Sequence, residues 1–255
     1  MISKTSLVVS QIQLSENCFR LDLFMPEIAE VARPGQFVEI STNNATLLNK
    51  PISIAAVSKQ NKTFSLIYKV VGKGTKALSK LIKNDKVKVI GPCGNGFQKV
   101  ESFAYGVGGG IGIPPIFFLA AENNISTKNW EIILGAGTFK DLVLTTDFKT
   151  DLEISPIITT DDGSTGLKGN VCLPLEEKLK IKPAPVYACG PMPMLAAISN
   201  LCKNYNVTSH VCMEAYMGCG IGVCMGCVIP TVRGFERVCK EGPVFLGKDV
   251  SWDKL

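Results

Sequence analysis

The feature that most constrains this chain is a group of four cysteines near its C-terminus. They are separated by four, two and eleven residues and are Cys219, Cys224, Cys227 and Cys239. Glycines stand among them at Gly218, Gly220, Gly222 and Gly226. Thiolates are soft, strongly donating metal ligands, and glycines let the backbone take positive φ and bring its N–H groups close to sulfur. The segment therefore predicts a loop that folds around a thiolate-bound metal centre.

The first two gaps, four and then two residues, match the spacing of plant-type 2Fe-2S ferredoxins. In those proteins a more distant cysteine closes the cluster, and here the closing residue, Cys239, comes early. Other interpretations are open. A zinc site usually takes two Cys-x2-Cys pairs, of which only Cys224 and Cys227 form one. Two disulfides would need an oxidising compartment, and the four thiols could also be buried and structural.

Five further cysteines stand alone, and we expect them to pack as small hydrophobic side chains. They are Cys18, Cys93, Cys172, Cys202 and Cys212.

The length of 255 residues and the 46% hydrophobic content allow two compact domains, each with its own core. Residues 1–15 lack a basic stretch followed by a sustained apolar run, so we expect no signal peptide. The longest apolar run, Ile111 to Ala121, contains two prolines and is too short to span a bilayer. Ten cysteines in a protein that is not exported indicate a reducing compartment, and we expect the cytoplasm.

Lysines are unevenly distributed along the chain. Between Lys59 and Lys99 there are ten lysines and one acid, Asp85. A solvated lysine face explains this most simply, and the alternative is attraction for a phosphorylated cofactor or an acidic partner subunit. The formal net charge of +5 is too small to indicate nucleic-acid binding.

The first hundred residues predict a small antiparallel β-barrel. Phe19, Leu21 and Leu23 alternate with polar residues, which is the period of a half-buried strand. Further strands separated by turn residues are predicted over 36–41, 52–57, 63–71 and 87–90, with one short helix over 75–82. Several short strands at this spacing are typical of a barrel.

The pattern changes near Glu101, where buried strands begin to alternate with helices. Strands are predicted over 103–107, 131–134, 154–160, 186–189 and 207–213, the last directly before the cysteine loop. Helices are predicted over 114–121, 175–179 and 192–205. This alternation predicts a parallel sheet. The expected fold is thus a barrel over 1–99, an α/β nucleotide-binding domain over 100–211 and a small metal-binding subdomain over 212–255.

Three turns at strand ends predict a dinucleotide site. The first, Gly108-Gly109-Gly110-Ile111-Gly112, opens a helix, where backbone N–H groups can approach a pyrophosphate. The second is Cys189-Gly190-Pro191, and the third, Gly135 to Asp141, contains Thr138. Ligands of open α/β sheets bind outside the carboxyl ends of the strands, so these turns are expected to face one crevice. A glycine-rich turn that serves only the fold is the alternative.

In the predicted barrel, three segments could hold a flavin nucleotide. They are Lys50-Pro51-Ile52-Ser53, Ile67-Tyr68-Lys69 and Gly74-Thr75. They offer a cation for phosphate, a ring that could stack on an isoalloxazine, and a helix start for a second phosphate. Ordinary exposed lysines and an edge tyrosine are the simpler alternative.

The chain has a single histidine, His210, which we expect to be structural. It shows no serine–histidine–acid grouping and no obvious carboxylate pair, so its chemistry should belong to cofactors.

With a barrel, an α/β domain and a four-cysteine loop in that order, the chain resembles the ferredoxin reductase superfamily over its whole length. Within it, the chain looks like the electron-transfer subunits of B-type dihydroorotate dehydrogenases. The motifs that carry the resemblance are Pro-Ile-Ser at 51–53, Gly-Thr at 74–75, Gly-Gly-Gly-Ile-Gly-x-x-Pro at 108–115, Cys-Gly-Pro-x-Pro-Met at 189–194 and Met-x-Cys-Gly-x-Gly-x-Cys-x-x-Cys at 217–227.

The resemblance implies FAD on the three barrel segments, a 2Fe-2S cluster on the four cysteines and NAD in the crevice. It also implies a catalytic, FMN-containing dihydroorotate dehydrogenase partner in a heterotetramer of two subunits of each kind, acting in pyrimidine biosynthesis. The alternatives are an NAD(P)H:ferredoxin or sulfide-type oxidoreductase subunit, a redox sensor, and a zinc-stabilised binding module. Lys50 departs from the family's Arg-Pro-x-Ser motif, because lysine keeps the charge but loses the bidentate fork that grips pyrophosphate.

Overall fold

A computed structural model describes residues 1–43, 45–123 and 130–255. Its first part is a closed antiparallel barrel, as predicted. The strands are β1 (Ile2–Ser15), β2 (Cys18–Phe24), β3 (Phe37–Ile40), β4 (Lys50–Ser58), β5 (Thr63–Lys69) and β6 (Lys86–Cys93). They close in the order β1-β2-β5-β4-β3-β6. Leu21, Leu23, Ile54, Phe64 and Leu66 are fully buried inside, which confirms the alternating pattern predicted for β2.

Two short helices flank the barrel strands, α1 (Pro26–Val31) and α2 (Lys73–Leu78). The predicted helix over 75–82 is therefore displaced by several residues. The hydroxyl of Thr75 accepts the N–H groups of Val71 at 3.0 Å and Gly72 at 3.3 Å, which sets the start of α2 at Lys73. All ten lysines between Lys59 and Lys99 are exposed, which supports the solvated face.

The second part is a parallel sheet with helices on its two faces. Its elements are β7 (Ala104–Gly109), α3 (Ile113–Glu122), β8 (Trp130–Ala136), α4 (Thr145–Leu152), β9 (Ile157–Thr160), β10 (Leu167–Lys168), α5 (Cys172–Ile181), β11 (Val186–Cys189), α6 (Met192–Asn204) and β12 (Ser209–Cys212). The strand order is β10-β9-β8-β7-β11-β12. Tyr105 and Val107 pack on one face of the sheet, and Ile132 and Leu134 on the other.

After β12 the chain forms the cysteine loop, the hairpin β13 (Val228–Thr231) and β14 (Gly234–Arg237), and then β15 (Val244–Leu246). Strand β15 pairs antiparallel with β12, with Cys212 opposite Val244. The strand predicted over 207–213 is confirmed as β12, but the prediction that it is the last strand of the sheet is wrong, because β15 lies beyond it. The cysteine loop is an excursion between two neighbouring strands, and its returning strand was missed because it has only three residues.

Helix α3 joins the two parts. Phe118 of this helix is 1% exposed and belongs to the barrel core, whereas Ile116 and Leu119 pack against the sheet. One helix thus packs against both the barrel and the sheet. Within the described residues, no helix has the length and hydrophobicity that a membrane crossing would require.

Candidate functional site

A cavity of about 310 Å³, here called the barrel cavity, lies where the barrel meets the sheet. It has the size of a small-molecule pocket. Strands β4 and β5 form one wall, and the segment between β12 and the cysteine loop forms the other. It is lined by Phe37, Pro51, Ile52, Ser53, Ile67, Tyr68, Lys69, Val71, Thr75, Ile111, Cys212, Met213, Glu214, Ala215, Met217 and Pro243.

Seven of the nine residues predicted to bind FAD line this cavity, the exceptions being Lys50 and Gly74. Lys50 lies in β4, and its side chain packs across Gly74 at the start of α2. A positively charged side chain is thereby brought to the helix start, as a phosphate site would need. The hydroxyl of Thr75 is already used by the backbone N–H groups of Val71 and Gly72.

Tyr68 is more enclosed than its predicted stacking role suggests. Its ring is 3% exposed and stacks on Phe19 with the ring centroids 6.1 Å apart. Its hydroxyl lies 3.3 Å from Oε1 of Gln11, and burial raises the pKa of the phenol. A ligand in the barrel cavity would therefore contact the ring of Tyr68, and the hydroxyl of Tyr68 would keep its hydrogen bond to Gln11.

A second cavity of about 410 Å³, here called the crevice, lies at the carboxyl edge of the parallel sheet. All three predicted turns reach it, through Gly109 and Gly110, Gly135 to Gly137, and Pro191. Gly112 packs against the carbonyl of Cys189 so closely that a side chain there would overlap the backbone. Four of the residues predicted to bind NAD in these turns do not themselves line the crevice, namely Gly108, Gly112, Cys189 and Gly190. Such a bare backbone cradle suits a pyrophosphate.

Thr138 does not line the crevice. Its hydroxyl lies 3.4 Å from that of Ser164, and Gly137 takes the lining position beside it. Asp161, at the end of β9, also lines the crevice and was missed, because exposed acids after a strand carry no distinguishing pattern.

The barrel cavity and the crevice adjoin, and Lys69 and Ile111 line both. Lys69 Nζ lies 2.6 Å from Oδ1 of Asp141, so an ion pair links the barrel to the turn after β8. Ligands that fill the two spaces would meet at this junction. The junction was not predicted, since Lys69 and Asp141 are 72 residues apart in the sequence.

The cysteine loop directs backbone N–H groups at sulfur. Sγ of Cys219 accepts N–H groups from Ile221, Val223 and Cys224 at 3.4–3.5 Å. Burial raises the pKa of this thiol, but those hydrogen bonds outweigh burial and lower the pKa to about 6. The N–H donors therefore favour the thiolate of Cys219, the form that binds metal.

Together with Cys219, the other three cysteine sulfurs form two pairs. Cys219 contacts Cys224, and Cys227 contacts Cys239, whose N–H donates to Sγ of Cys227 at 3.4 Å. Two thiolates for each iron is what a 2Fe-2S cluster requires, so the donor set fits that group. None of the ten cysteines forms a disulfide. In the described part of the chain, no three His, Cys, Asp or Glu side chains are gathered around one metal-ion position.

Glu39 on β3 was also missed. Its side chain is 1% exposed, and neither carboxylate oxygen has a hydrogen-bond partner among the described residues. Burial, with a smaller contribution from the nearby Cys219 thiolate, raises the pKa of Glu39 to about 7, and Lys50 opposes this rise. Its position in a short buried strand gave no sign that it reaches the loop.

The only histidine, His210, stacks on Tyr187 with centroids 4.6 Å apart, and burial lowers its pKa. This agrees with the structural role expected for it.

Residues 214–251 match the family described as the iron-sulfur cluster binding domain of dihydroorotate dehydrogenase B. The chain is also similar along its length to proteins named dihydroorotate dehydrogenase B (NAD(+)), electron transfer subunit. The protein from Desulforamulus reducens is 35% identical over 96% of this chain and 97% of its own length. The protein from Lysinibacillus sphaericus is 37% identical over 93% of this chain and 94% of its own.

Among solved structures, a chain of an NADH-dependent reduced ferredoxin-NADP oxidoreductase superposes with a TM-score of 0.86 and 28% identity. The match covers 98% of this chain and 91% of that one. The ferredoxin reductase of carbazole 1,9a-dioxygenase has a TM-score of 0.69 at 18% identity, over 81% of this chain and 66% of that one, which shows a shared fold.

Proposed function

Because the chain belongs to the family of dihydroorotate dehydrogenase B electron-transfer subunits, we propose that it carries electrons from a catalytic, FMN-containing partner to NAD+ through a 2Fe-2S cluster and FAD. One observation carries this proposal. The cysteine loop, the barrel cavity and the crevice lie in series, because the segment before Cys219 lines the barrel cavity and Lys69 and Ile111 line both cavities.

When bound, the cluster supplies single-electron transfer, the flavin exchanges one or two electrons, and NAD+ accepts a hydride. The chain's residues supply the positioning. Thiolates with N–H donors would hold the cluster, the walls formed by β4 and β5 would orient a planar ring, and the bare turns at Gly109 and Pro191 would seat a pyrophosphate. Ligands that fill both cavities would meet at Lys69 and Ile111, which line both.

We assign the sites residue by residue as follows. FAD would be held by Lys50, Pro51, Ile52, Ser53, Ile67, Tyr68, Lys69, Gly74 and Thr75. NAD would be held by Gly108, Gly109, Gly110, Gly112, Thr138, Cys189, Gly190 and Pro191, and the cluster by Cys219, Cys224, Cys227 and Cys239. We keep the division into units 1–99, 100–211 and 212–255 as part of this proposal.

The partner would dock on the cysteine loop. Large apolar side chains are exposed on the loop and on the hairpin that follows it, among them Tyr216 at 99%, Val223 at 75% and Phe235 at 73%. Exposed apolar side chains of this size favour an interaction surface. We propose that the assembly is a heterotetramer of two subunits of each kind and that it works in the cytoplasm.

The test is reconstitution of electron transfer with the partner. The purified chain should be red-brown, contain iron, and lose flavin absorbance when NADH is added under anaerobic conditions. Mixed with the catalytic subunit, it should give NAD+-dependent oxidation of dihydroorotate to orotate. Absence of that reaction from a mixture of fully loaded subunits would overturn the proposal.

The likeness to the ferredoxin-NADP oxidoreductase chain favours a second candidate, a subunit that exchanges electrons with ferredoxin. Ferredoxin reduction by NADH without a dihydroorotate-oxidising partner would support it. A colourless protein that contains zinc and no iron would instead support the zinc-stabilised binding module.

A further inference from the structure

Glu39 is a buried carboxylate that the proposed function leaves unexplained. Its side chain is 1% exposed, and within the described ranges neither oxygen has a hydrogen-bond partner. Burying a carboxylate without a partner costs several kcal/mol or more by general estimates (roughly 2–7 kcal/mol even for a neutral polar group). A group kept at that cost calls for an explanation, and a redox role is one of the usual ones.

The surroundings of Glu39 indicate what it acts on. It faces Gly220, the residue after Cys219, and a Cβ built on Gly220 would lie 2.5 Å from Oε1 of Glu39. Gly220 is buried and has a φ of +65°, so the loop backbone rests on this side chain and no other residue fits there without strain. Glu39 is therefore in van der Waals contact with the loop at Gly220, the residue that follows its first predicted ligand.

Glu39 also adjoins the flavin side of the molecule. In the barrel sheet it lies opposite Pro51 of β4, in the segment assigned to FAD. The carboxylate thus lies between the strand that would hold FAD and the loop that would hold the cluster.

We propose that Glu39 is a positioning residue that supports the cysteine loop at Gly220 and, by the charge it places beside Cys219, makes the reduction potential of the bound cluster more negative. This inference rests on the proposed function. A nearby anion disfavours the addition of an electron, and at 1% exposure water screens it little. A more negative potential makes the cluster a stronger electron donor toward the barrel cavity.

The test is a redox titration of Glu39→Gln, which keeps the volume and removes the charge. The cluster's midpoint potential would be followed by electron paramagnetic resonance in the full chain with its partner, at pH 8.5, where the Glu39 carboxylate is charged. We expect a more positive potential in Glu39→Gln than in the unaltered protein. Glu30→Gln, an exposed glutamate of α1 in the same barrel, is the control and should leave the potential unchanged.

A second variant, Glu39→Met, covers the case in which Glu39→Gln fails to take up iron, and the same shift is expected. If the variants hold a full complement of iron with unchanged potentials, the inference is wrong. An unaltered protein that holds no iron would instead refute the proposed function, so the two failures can be told apart.

Discussion

Backbone amides, more than side chains, determine the chemistry of the cysteine loop. Three N–H groups converge on Cys219 and hold its pKa at about 6, whereas burial and Cys227 raise the pKa of Cys239. Cys219 and Cys239 thus differ before any metal binds. Metal binding must drive a proton from Cys239 but not from Cys219, so iron uptake should be favoured by rising pH.

Cys227→Ser is expected to remove the cluster. Cys227 is 3% exposed and accepts the N–H of Cys239, so no neighbouring thiol can replace it. Electron transfer from the partner should be lost, whereas reduction of bound FAD by NADH should continue, because the crevice and barrel cavity lie outside the loop. Iron analysis and stopped-flow absorbance would measure the two effects.

The matched control is Cys202→Ser, a buried cysteine of α6 that lies beside Ser209 and should keep its iron. If Cys227→Ser also abolishes FAD reduction by NADH, the loop supports the fold as a whole.

His210 should make stability sensitive to acid. Burial lowers its pKa below the usual 6.5, so the unfolded chain binds a proton more readily than the folded one. Its contribution to the free energy of unfolding is complete above pH 6.5 and is lost as the pH falls toward the lower, folded pKa.

His210→Phe keeps the stacking on Tyr187 and removes the proton. Chemical denaturation at pH 7.5 and 5.5 should show a smaller loss of stability in the variant than in the unaltered protein. Equal losses in both would mean that His210 does not contribute.

At the level of elements, the decisive contact is the one between β5 and the turn after β8. Lys69 and Asp141 are each partly exposed, so their ion pair contributes at most about 1 kcal/mol to stability. Its position matters more than its strength, since Lys69 lines both the barrel cavity and the crevice.

Asp141→Asn should therefore separate stability from activity. We expect a change in unfolding free energy below about 1 kcal/mol, and a fall of up to about 100-fold in the rate at which NADH reduces bound FAD, because Lys69 loses its position at the junction. Stopped-flow reduction would measure the rate. Asp151→Asn, an exposed acid on α4, should leave it unchanged, and a normal rate in Asp141→Asn would contradict the role given to the pair.

Local patterns were enough to predict most elements. Alternation in β2 and the apolar runs of β7, β8 and β11 each record burial on one or both faces, which a sequence displays directly. Strand β1 was not predicted, because most of its side chains are exposed or half-buried and show no apolar face. Strand β15 is too short to show a period.

The residues of the candidate site also fall into those that local sequence patterns predict and those that they do not. Turns and cysteines were found because glycines and thiols mark them locally. Glu39 and the pair Lys69–Asp141 depend on contacts between distant segments, and nothing near them in the sequence distinguishes them from ordinary charged residues.

At the scale of the whole molecule, the cysteine loop and the hairpin that follows it both leave large apolar side chains exposed. Phe235, on the hairpin β13–β14, is 73% exposed. Leaving such a side chain in water has a cost that a partner would remove, at about 25 cal/mol for each Å² covered.

Phe235→Glu should prevent assembly with the catalytic partner, because a charge would have to be buried in an apolar interface. The variant should keep its iron, its flavin and its oxidation of NADH with an artificial acceptor. Gel filtration of the mixed subunits would measure assembly. Ile181→Glu, at an 82% exposed position on α5, is the control, and an unchanged complex in Phe235→Glu would place the partner elsewhere.

The pairing of β12 with β15 bears on how such a chain could be shortened. Cys212 and Val244 are register partners on adjacent antiparallel strands, and a two-residue hairpin is enough to join such neighbours. The segment between β12 and β15, which contains the cysteine loop, could therefore be deleted and replaced by a short turn without changing the order of the strands. The deletion would nevertheless disturb the neighbouring cavity, because Met213 to Met217 form a wall of the barrel cavity. Excision would leave a reductase whose flavin pocket stands open to solvent and to dioxygen.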